Sequence, residues 1–554
     1  MFPAAGRGRL AARPVKFSRA RTPLSSFIHN TTSRQHLRPR EPPTPHMTDI
    51  TALPLLTGRT ICLEDALDGD DDVLAELRYP EQEREFWDYL IAHRADIETL
   101  VCYHLNITQC HVCVAETWKT GSFNTCVPIL IPASGHQGPQ KIFIRFPLPY
   151  KLGEVNNPGN VEEKLRTEIA VYIWLRKHCP DISIPTLYGF GLPDGQCFTH
   201  PQKAPFFTGL LWEIRRSISS WLRFPTPCDY VRRRLQNPFK SGYILLSEAK
   251  GEPLHRSWED HRHDKSYRSR LFRDLARLSL SLNKISFPRI GSLTIDSNGV
   301  ITLSNRPLTL YLQKLENEGI PSGIPRERTY TSIEPYLSDL LSFQDHKILH
   351  QPNAIHDQDD GKIQLSALTA LRATMHHFIR PQYRDGPFFL TLTDLHRSNI
   401  FVDKQWNIQT IIDLEWACTQ PVEMQLPPYW LTSKAVDGFK DAESVAELNS
   451  LLEEYFEIYK GEEQGILYQV PIMRHVWETG SFWYFQAVLV PKGMYKVFNS
   501  HIQPLFNKEH CEDSIFDEVF SCYWGMKAQE VITQKVKDKE DYTMQVKRAF
   551  SACR

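Results

Sequence analysis

Residues Leu390 to Trp416 read LTLTDLHRSNIFVDKQWNIQTIIDLEW, and the reading of the chain turns on this stretch. Asn399 leads into the apolar run Ile400 to Val402, a polar turn follows from Asp403 to Asn407, and a second apolar run spans Ile408 to Ile412. Two short strand-like runs flanking a polar turn predict a β-hairpin. A hairpin returns the chain to its start, so Asp413, just past the second strand, is expected beside Asn399, just before the first. Two oxygen ligands then face one hard cation. Mg²⁺ takes one or two protein oxygens and completes its octahedron with water and phosphates, so a carboxylate and an amide suit it. Asp394, just upstream of Asn399, is placed to accept the proton of an attacking hydroxyl, which is the arrangement phosphoryl transfer from a nucleotide requires.

The stretch TDLHRSN followed by IDLEW resembles the pattern HGDLHxxN…IDWE of the aminoglycoside phosphotransferase and choline kinase-like families, a branch of the protein-kinase-like fold. Asp394, Leu395, His396, Asn399, Asp413 and Glu415 fall on that pattern, while Leu392 and Thr393 replace its His and Gly. The departure touches support of the catalytic loop and leaves the base and metal ligands in place. The resemblance implies a two-lobed α+β fold, with a small β-rich N-lobe, a larger mainly helical C-lobe, and ATP and Mg²⁺ as cofactors.

The other half of such a site is expected upstream. ETWKTGSFNTCVPILI contains a turn with Gly121, Ser122 and Asn124 before a β-prone run, and backbone N–H groups of such a turn can cover phosphates. The next strand, KIFIRFPLP, alternates Lys141, Phe143 and Arg145 against Ile142, Ile144 and Phe146. Its end is similar to the RFPLP-like strand of fungal members of the family, and the resemblance puts Arg145 where kinases carry a phosphate-contacting Lys. Arg keeps the charge but binds phosphate oxygens in a bidentate geometry; Lys141 or Lys151 are alternative cations. GNVEEKLRTEIAVYIWLRKHCPD predicts a helix opened by a capping-box-like pair, Asn160 and Glu163, with Leu165, Ile169, Tyr172 and Ile173 on one face. Glu168 borders that face and is the first choice for an ion pair with Arg145, with Glu162 and Glu163 as competitors. GYILLSEAKGEPL then matches the family's interlobe hinge, which implies adenine contacts with backbone groups from Ser247 to Ala249.

Composition narrows the class. With 554 residues, 64 Lys and Arg against 65 Asp and Glu, and a net charge of -1, the chain needs more than one hydrophobic core and lacks the basic surplus of a dedicated nucleic-acid protein. No run of eighteen apolar residues predicts a transmembrane helix. Twelve scattered cysteines suggest free thiols in a reducing compartment. Cys110, His111 and Cys113 form a lone CHVC without the second ligand pair zinc requires.

Before the first acidic residue, Glu41, the chain carries eight Arg and one Lys among Ser, Thr, Ala, Phe and Leu. This is the composition of a mitochondrial presequence, and Met47 offers an alternative start that leaves the protein cytoplasmic. The expected organisation is a presequence or basic tail at 1–46, a helical lead-in at 47–100 around EQEREFWDYLIAHRADIETL, an N-lobe at 101–250 and a C-lobe at 251–554. A basic insertion at 206–240, rich in aromatics, is expected to form a solvated helix face, with contact to lipid or an acidic partner as the alternative. RSRLFRDLARLSLSLNKI predicts an amphipathic helix, and RIGSLTIDSNGVITL a hairpin. The functional expectation is an ATP-dependent kinase acting on a hydroxyl-bearing small molecule. A non-enzymatic mitochondrial pseudokinase scaffold is the alternative, and a protein kinase is disfavoured because no APE-like segment follows IDLEW.

Overall fold

The strand Gln140–Pro147 organises the first half of the chain because its two faces differ in chemistry. Ile142, Ile144 and Phe146 lie on one face and are almost completely buried; Arg145 lies on the other, as the two-residue period of a strand requires. The computed structural model describes residues 52–69, 71–133, 138–235, 237–463, 469–508 and 514–552. The basic segment 1–46 and the alternative start Met47 lie outside the described residues.

Gln140–Pro147 pairs antiparallel with Asn124–Ile131 on one side and Tyr243–Ser247 on the other. These are central strands of an eight-stranded sheet that continues through Leu187–Gly191, Cys197–Thr199 and Val231–Arg233. Helix Arg94–Leu105 covers the apolar face, packing Ile97, Leu100, Val101 and Leu105 against Val127, Ile129 and Ile144. Helix Asn160–His178 covers the face that carries Arg145, with Ile169 and Ile173 in one cluster with Ile244 and Leu246. The Arg145 side chain is thereby sealed between sheet and helix.

Two local expectations give way to tertiary contacts. Asn160 and Glu163 do not cap their helix: Gly159, with φ 95°, precedes it and no side chain caps it. Asn160 instead donates to the Leu152 carbonyl and to Glu316, while Glu163 accepts from Arg306. The helix start is buried, so its polar groups find partners across the fold rather than in the adjacent turn. The lead-in helix breaks at His93 into Tyr79–Ala92 and Arg94–Leu105. Upstream of it, Leu53, Ala66 and Val73 pack with Tyr542, Val546 and Phe550 of the last helix, Ala528–Ala552, and the Val73 N–H donates to the Tyr542 hydroxyl at 2.8 Å. The beginning and end of the described chain hold one another.

The second half is mainly helical, and the whole is mixed α+β. Helix Lys265–Leu282 buries Leu271, Leu275, Leu278 and Leu282, as its periodicity predicts. Ser292–Ile295 and Ile301–Asn305 form the expected hairpin. The segment 206–240 departs from expectation, because helix Phe206–Trp221 turns an apolar rather than a basic face outward. Ile400–Val402 and Ile408–Ile411 pair as the hairpin read from the sequence, joined by Glu252–Pro253 from just beyond the strand Tyr243–Ser247.

Candidate active site

The hairpin closes where its spacing predicts, with the Ile412 N–H donating to the Asn399 carbonyl at 3.0 Å. Asp413 follows at once in the left-handed region, φ 57°, a conformation that Asp tolerates better than most residues. Asp394 sits in the loop between the strand Phe388–Leu392 and the hairpin. Asn399 binds this loop through its amide nitrogen, which donates to the Asp394 carbonyl at 3.0 Å and approaches the carboxylate at 3.5 Å. Thr393, standing in place of the pattern's Gly, donates to the Trp416 carbonyl at 2.5 Å. The substitution thus ties the loop to the strand beginning at Ala417.

Glu415, two residues beyond Asp413, is the hub of a buried network. It accepts from Asn124 at 2.7 Å, from Arg145 at 2.7 Å and from Lys164 at 2.6 Å. Arg145 also reaches Glu168 at 2.9 Å and Asp413 at 2.7 Å. Lys164 completes the ring through Glu168 at 3.1 Å and the Asn124 side-chain oxygen at 2.6 Å. Lys164 is fully buried and Arg145 and Glu168 nearly so. Burial works against the Glu415 charge, but Lys164 and then Arg145 outweigh it and hold its carboxyl below the usual range.

Of the three glutamates open to Arg145 in the sequence, the structure selects Glu168; Glu163 pairs with Arg306 and Glu162 with Arg166. Asn124 lies outside the turn. It opens the strand Asn124–Ile131, and its side chain belongs to the Glu415 network. The Gly121 N–H closes the turn by donating to the Asn124 carbonyl at 2.8 Å. Gly121 and Ser122 border a small cavity with Arg59, Tyr79 and Lys151. The Lys151 ammonium lies 3.9 Å from the centre of the Tyr79 ring, and burial lowers its pKa to about 8. Lys141 is elsewhere, paired with Glu248 at 3.5 Å. Phe123 joins the turn to the hairpin side by packing edge-on against Trp416, 4.9 Å between ring centres.

Ser247 ends the strand Tyr243–Ser247, and both its N–H and its hydroxyl oxygen are engaged by Thr186. Ala249 lies just beyond. The next residue, Lys250, is fastened through its N–H and carbonyl to the Thr410 hydroxyl of the hairpin, at 3.0 and 3.1 Å. The chain segment after the strand is therefore pinned to the element that carries Asp413.

Asp394 has no such cationic support. His396, 3.6 Å away, is the one basic side chain paired with it among the described residues. Burial, then the neighbouring charges of Glu415 and Asp413, push its pKa up to about 7. It lines a half-open cavity of about 260 Å³ whose walls include Leu392, Tyr311, Leu426, Tyr429, Trp430 and Met473. Apart from tyrosine phenols, Asp394 is the sole ionisable group among the lining residues.

The donor set suits a hard divalent cation. Three carboxylates, of Asp413, Glu415 and Glu168, gather around two cations, Arg145 and Lys164, and Asp394 lies near enough to Glu415 and Asp413 to feel their charge. With its amide nitrogen on the Asp394 carbonyl, Asn399 has its oxygen free of hydrogen bonds among the described residues. No cluster of three or more His, Cys, Asp or Glu fit to hold a metal occurs among the described residues. A site that draws most of its ligands from phosphates and water needs none.

Sequence reasoning missed Lys164 and the role of Glu415, although both carried a signal. Lys164 precedes Glu168 by one helical turn, the spacing of an intrahelical ion pair, and Glu415 falls on the family pattern matched by IDLEW.

Fold and site together define a mixed α+β protein with a carboxylate-rich centre of the kind that handles phosphoryl groups. The chain belongs to the phosphotransferase enzyme family, APH, whose model matches residues 152–456. That span holds Lys164, Glu168, Asp394, Asn399, Asp413 and Glu415, and leaves Gly121, Ser122, Asn124 and Arg145 upstream of it. No curated protein matches the chain.

Proposed function

We propose that this phosphotransferase is a kinase of small molecules, moving the γ-phosphoryl group of ATP to an acceptor hydroxyl across the cleft of a two-lobed, kinase-like fold. The observation that carries the reading is the position of Asp394. It faces a half-open cavity on one side and borders Asn399 on the other. In this reading Asp394 accepts the acceptor's proton, a task favoured by its raised proton affinity. The oxygens of Asn399 and Asp413 would hold Mg²⁺, which supplies charge neutralisation to the nucleotide phosphates when bound. Arg145, oriented by Glu168, steadies phosphate; the turn of Gly121 and Ser122 covers it; backbone groups from Ser247 to Ala249 receive adenine.

The cavity lining gives the acceptor its character. Because Asp394 is its only ionisable group besides tyrosines, and its aromatic and aliphatic walls are interrupted only by uncharged Ser, Thr and Gln side chains, the acceptor is an uncharged hydroxyl compound with an apolar body rather than a polycation such as an aminoglycoside. A metabolite-extract screen for ATP-dependent phosphorylation tests this, run with wild type and with Asp394→Asn. Transfer by wild type alone supports the reading; absence of any acceptor for either form sinks it.

The arginine-rich segment 1–46, free of acidic residues up to Glu41, supports mitochondrial import, and a chain begun at Met47 stays cytoplasmic. Residues 1–46 should carry a fluorescent reporter into mitochondria; a reporter left in the cytosol removes the targeting claim.

A further inference from the structure

Helix Phe206–Trp221 is amphipathic in the reverse sense. At 3.6 residues per turn, its large apolar side chains other than Trp212, namely Phe206, Phe207, Leu210, Leu211, Ile214, Ile218 and Trp221, fall within roughly 140° of the circumference. That arc faces solvent: Phe207 is 77 % exposed, Leu211 68 % and Trp221 82 %. The helix is anchored through its opposite side. Trp212, its one buried residue, donates from the indole nitrogen to the Cys228 carbonyl at 3.0 Å, and Arg216 donates to the Pro227 carbonyl at 3.1 Å. Apolar residues continue past the helix end in Leu222 and Phe224, which are also exposed. Isolated exposed leucines are ordinary, but a continuous face of this size marks a binding surface.

The charge around this face selects its occupant. Lys203, Arg215, Arg223, Arg232 and Arg234 are exposed and form no ion pair among the described residues. The two acids between Lys203 and Arg234 are both neutralised, Glu213 by Arg216 and Asp229 by Arg176. A second copy would bring the same cations against these, and the chain's own segment 1–49 is itself basic. An anionic lipid surface instead offers acyl chains to the apolar arc and headgroup charge to the unpaired cations, of which Arg215 borders the arc on the helix and Arg223 follows its end, with Trp and Phe at the boundary. No described helix is long and apolar enough to cross a membrane, so the contact lies in the plane of the surface. We infer that helix Phe206–Trp221 docks this protein on an anionic membrane surface.

Flotation of the full chain with phosphatidylcholine vesicles, with and without phosphatidylserine, tests the inference. Wild type should float with the anionic vesicles and much less with the neutral ones. The double variant Leu211→Asp, Trp221→Asp should lower partitioning roughly tenfold or more. A second, independent variant, Arg223→Glu with Arg232→Glu and Arg234→Glu, should keep the apolar face yet abolish the preference for phosphatidylserine. Wild type that fails to float overturns the inference, as does a double variant that floats like wild type. A wild-type dimer in sedimentation that Leu211→Asp converts to monomer assigns the face to a second copy and also overturns it.

Discussion

The carboxylate network around Glu415 and the helix Phe206–Trp221 both invert the usual partition of side chains, one by burying charge and the other by exposing apolar surface. They differ in how the inversion is settled. Arg145, Lys164, Glu168, Glu415 and Asn124 pair with each other within 2.6–3.1 Å, and the Arg145 Nε is left as the one buried polar side-chain atom of these five without a partner among the described residues. The apolar arc of the helix has no such partner among the described residues. Asp394 belongs to the first region by position and resembles the second in logic, since its raised proton affinity reflects burial without a strong cation. Unsettled groups mark where something from outside the chain is expected, and settled ones mark architecture.

The sharpest way to break this division is Asp394→Asn. If Asp394 is a working base rather than part of the architecture, turnover should fall about 10²- to 10⁴-fold, with nucleotide affinity changed far less. Equal transfer rates in wild type and variant end the assignment.

Lys164→Met tests the settled side. Removing one member leaves buried carboxylate charge uncompensated, which should destabilise the protein by about 3–5 kcal/mol in denaturant titration; a loss below about 1 kcal/mol would show that the network is not closed by mutual pairing. Asp413→Asn probes the border between the two classes. It removes the carboxylate shared with Arg145 and should weaken productive nucleotide engagement, with partial recovery at high Mg²⁺. Unchanged metal dependence would place Asp413 with the architecture.

His104 extends the comparison to a buried group settled without charge. It is fully buried between Thr199 at 2.8 Å and the Tyr243 hydroxyl at 2.7 Å, and burial, then Arg233, lowers its pKa from 6.5 to about 3. The unfolded chain binds the proton first, so the stability this residue contributes is complete above pH 6.5. It is lost as pH falls toward 3, at up to about 1.4 kcal/mol per pH unit. His104→Gln should flatten that part of the stability profile; an unaltered slope would assign acid sensitivity to other groups. The smallest effect is expected at the exposed face, where Leu211→Asp should shift stability by no more than about 0.5 kcal/mol. A larger loss would mean that the arc is packed after all.

The parts legible in the sequence were those made by neighbours along the chain. The hairpin from Ile400 to Ile411, and with it the approach of Asn399 to Asp413, follows from two apolar runs and a polar turn. The burial of Leu271, Leu275, Leu278 and Leu282 follows from helical spacing, and family resemblance added the pairing of Arg145 with Glu168. The hub was not legible. Glu415 meets Asn124 across 291 positions of sequence and Arg145 across 270, and nothing local distinguishes these residues from any strand-end Asn or Glu.

The sequence by itself determined the order of the elements and the spacing of Asp394, Asn399 and Asp413. Only the tertiary structure decided that Asn160 and Glu163 abandon their helix cap, that Lys164 is buried, and that the arc faces outward. Periodicity fixes which side chains share a face, because that is a matter of backbone geometry. Which face is covered depends on the neighbours that long-range packing brings, and there the indole of Trp212 and the guanidinium of Arg216, bonded to the Cys228 and Pro227 carbonyls, hold the polar side of the helix inward.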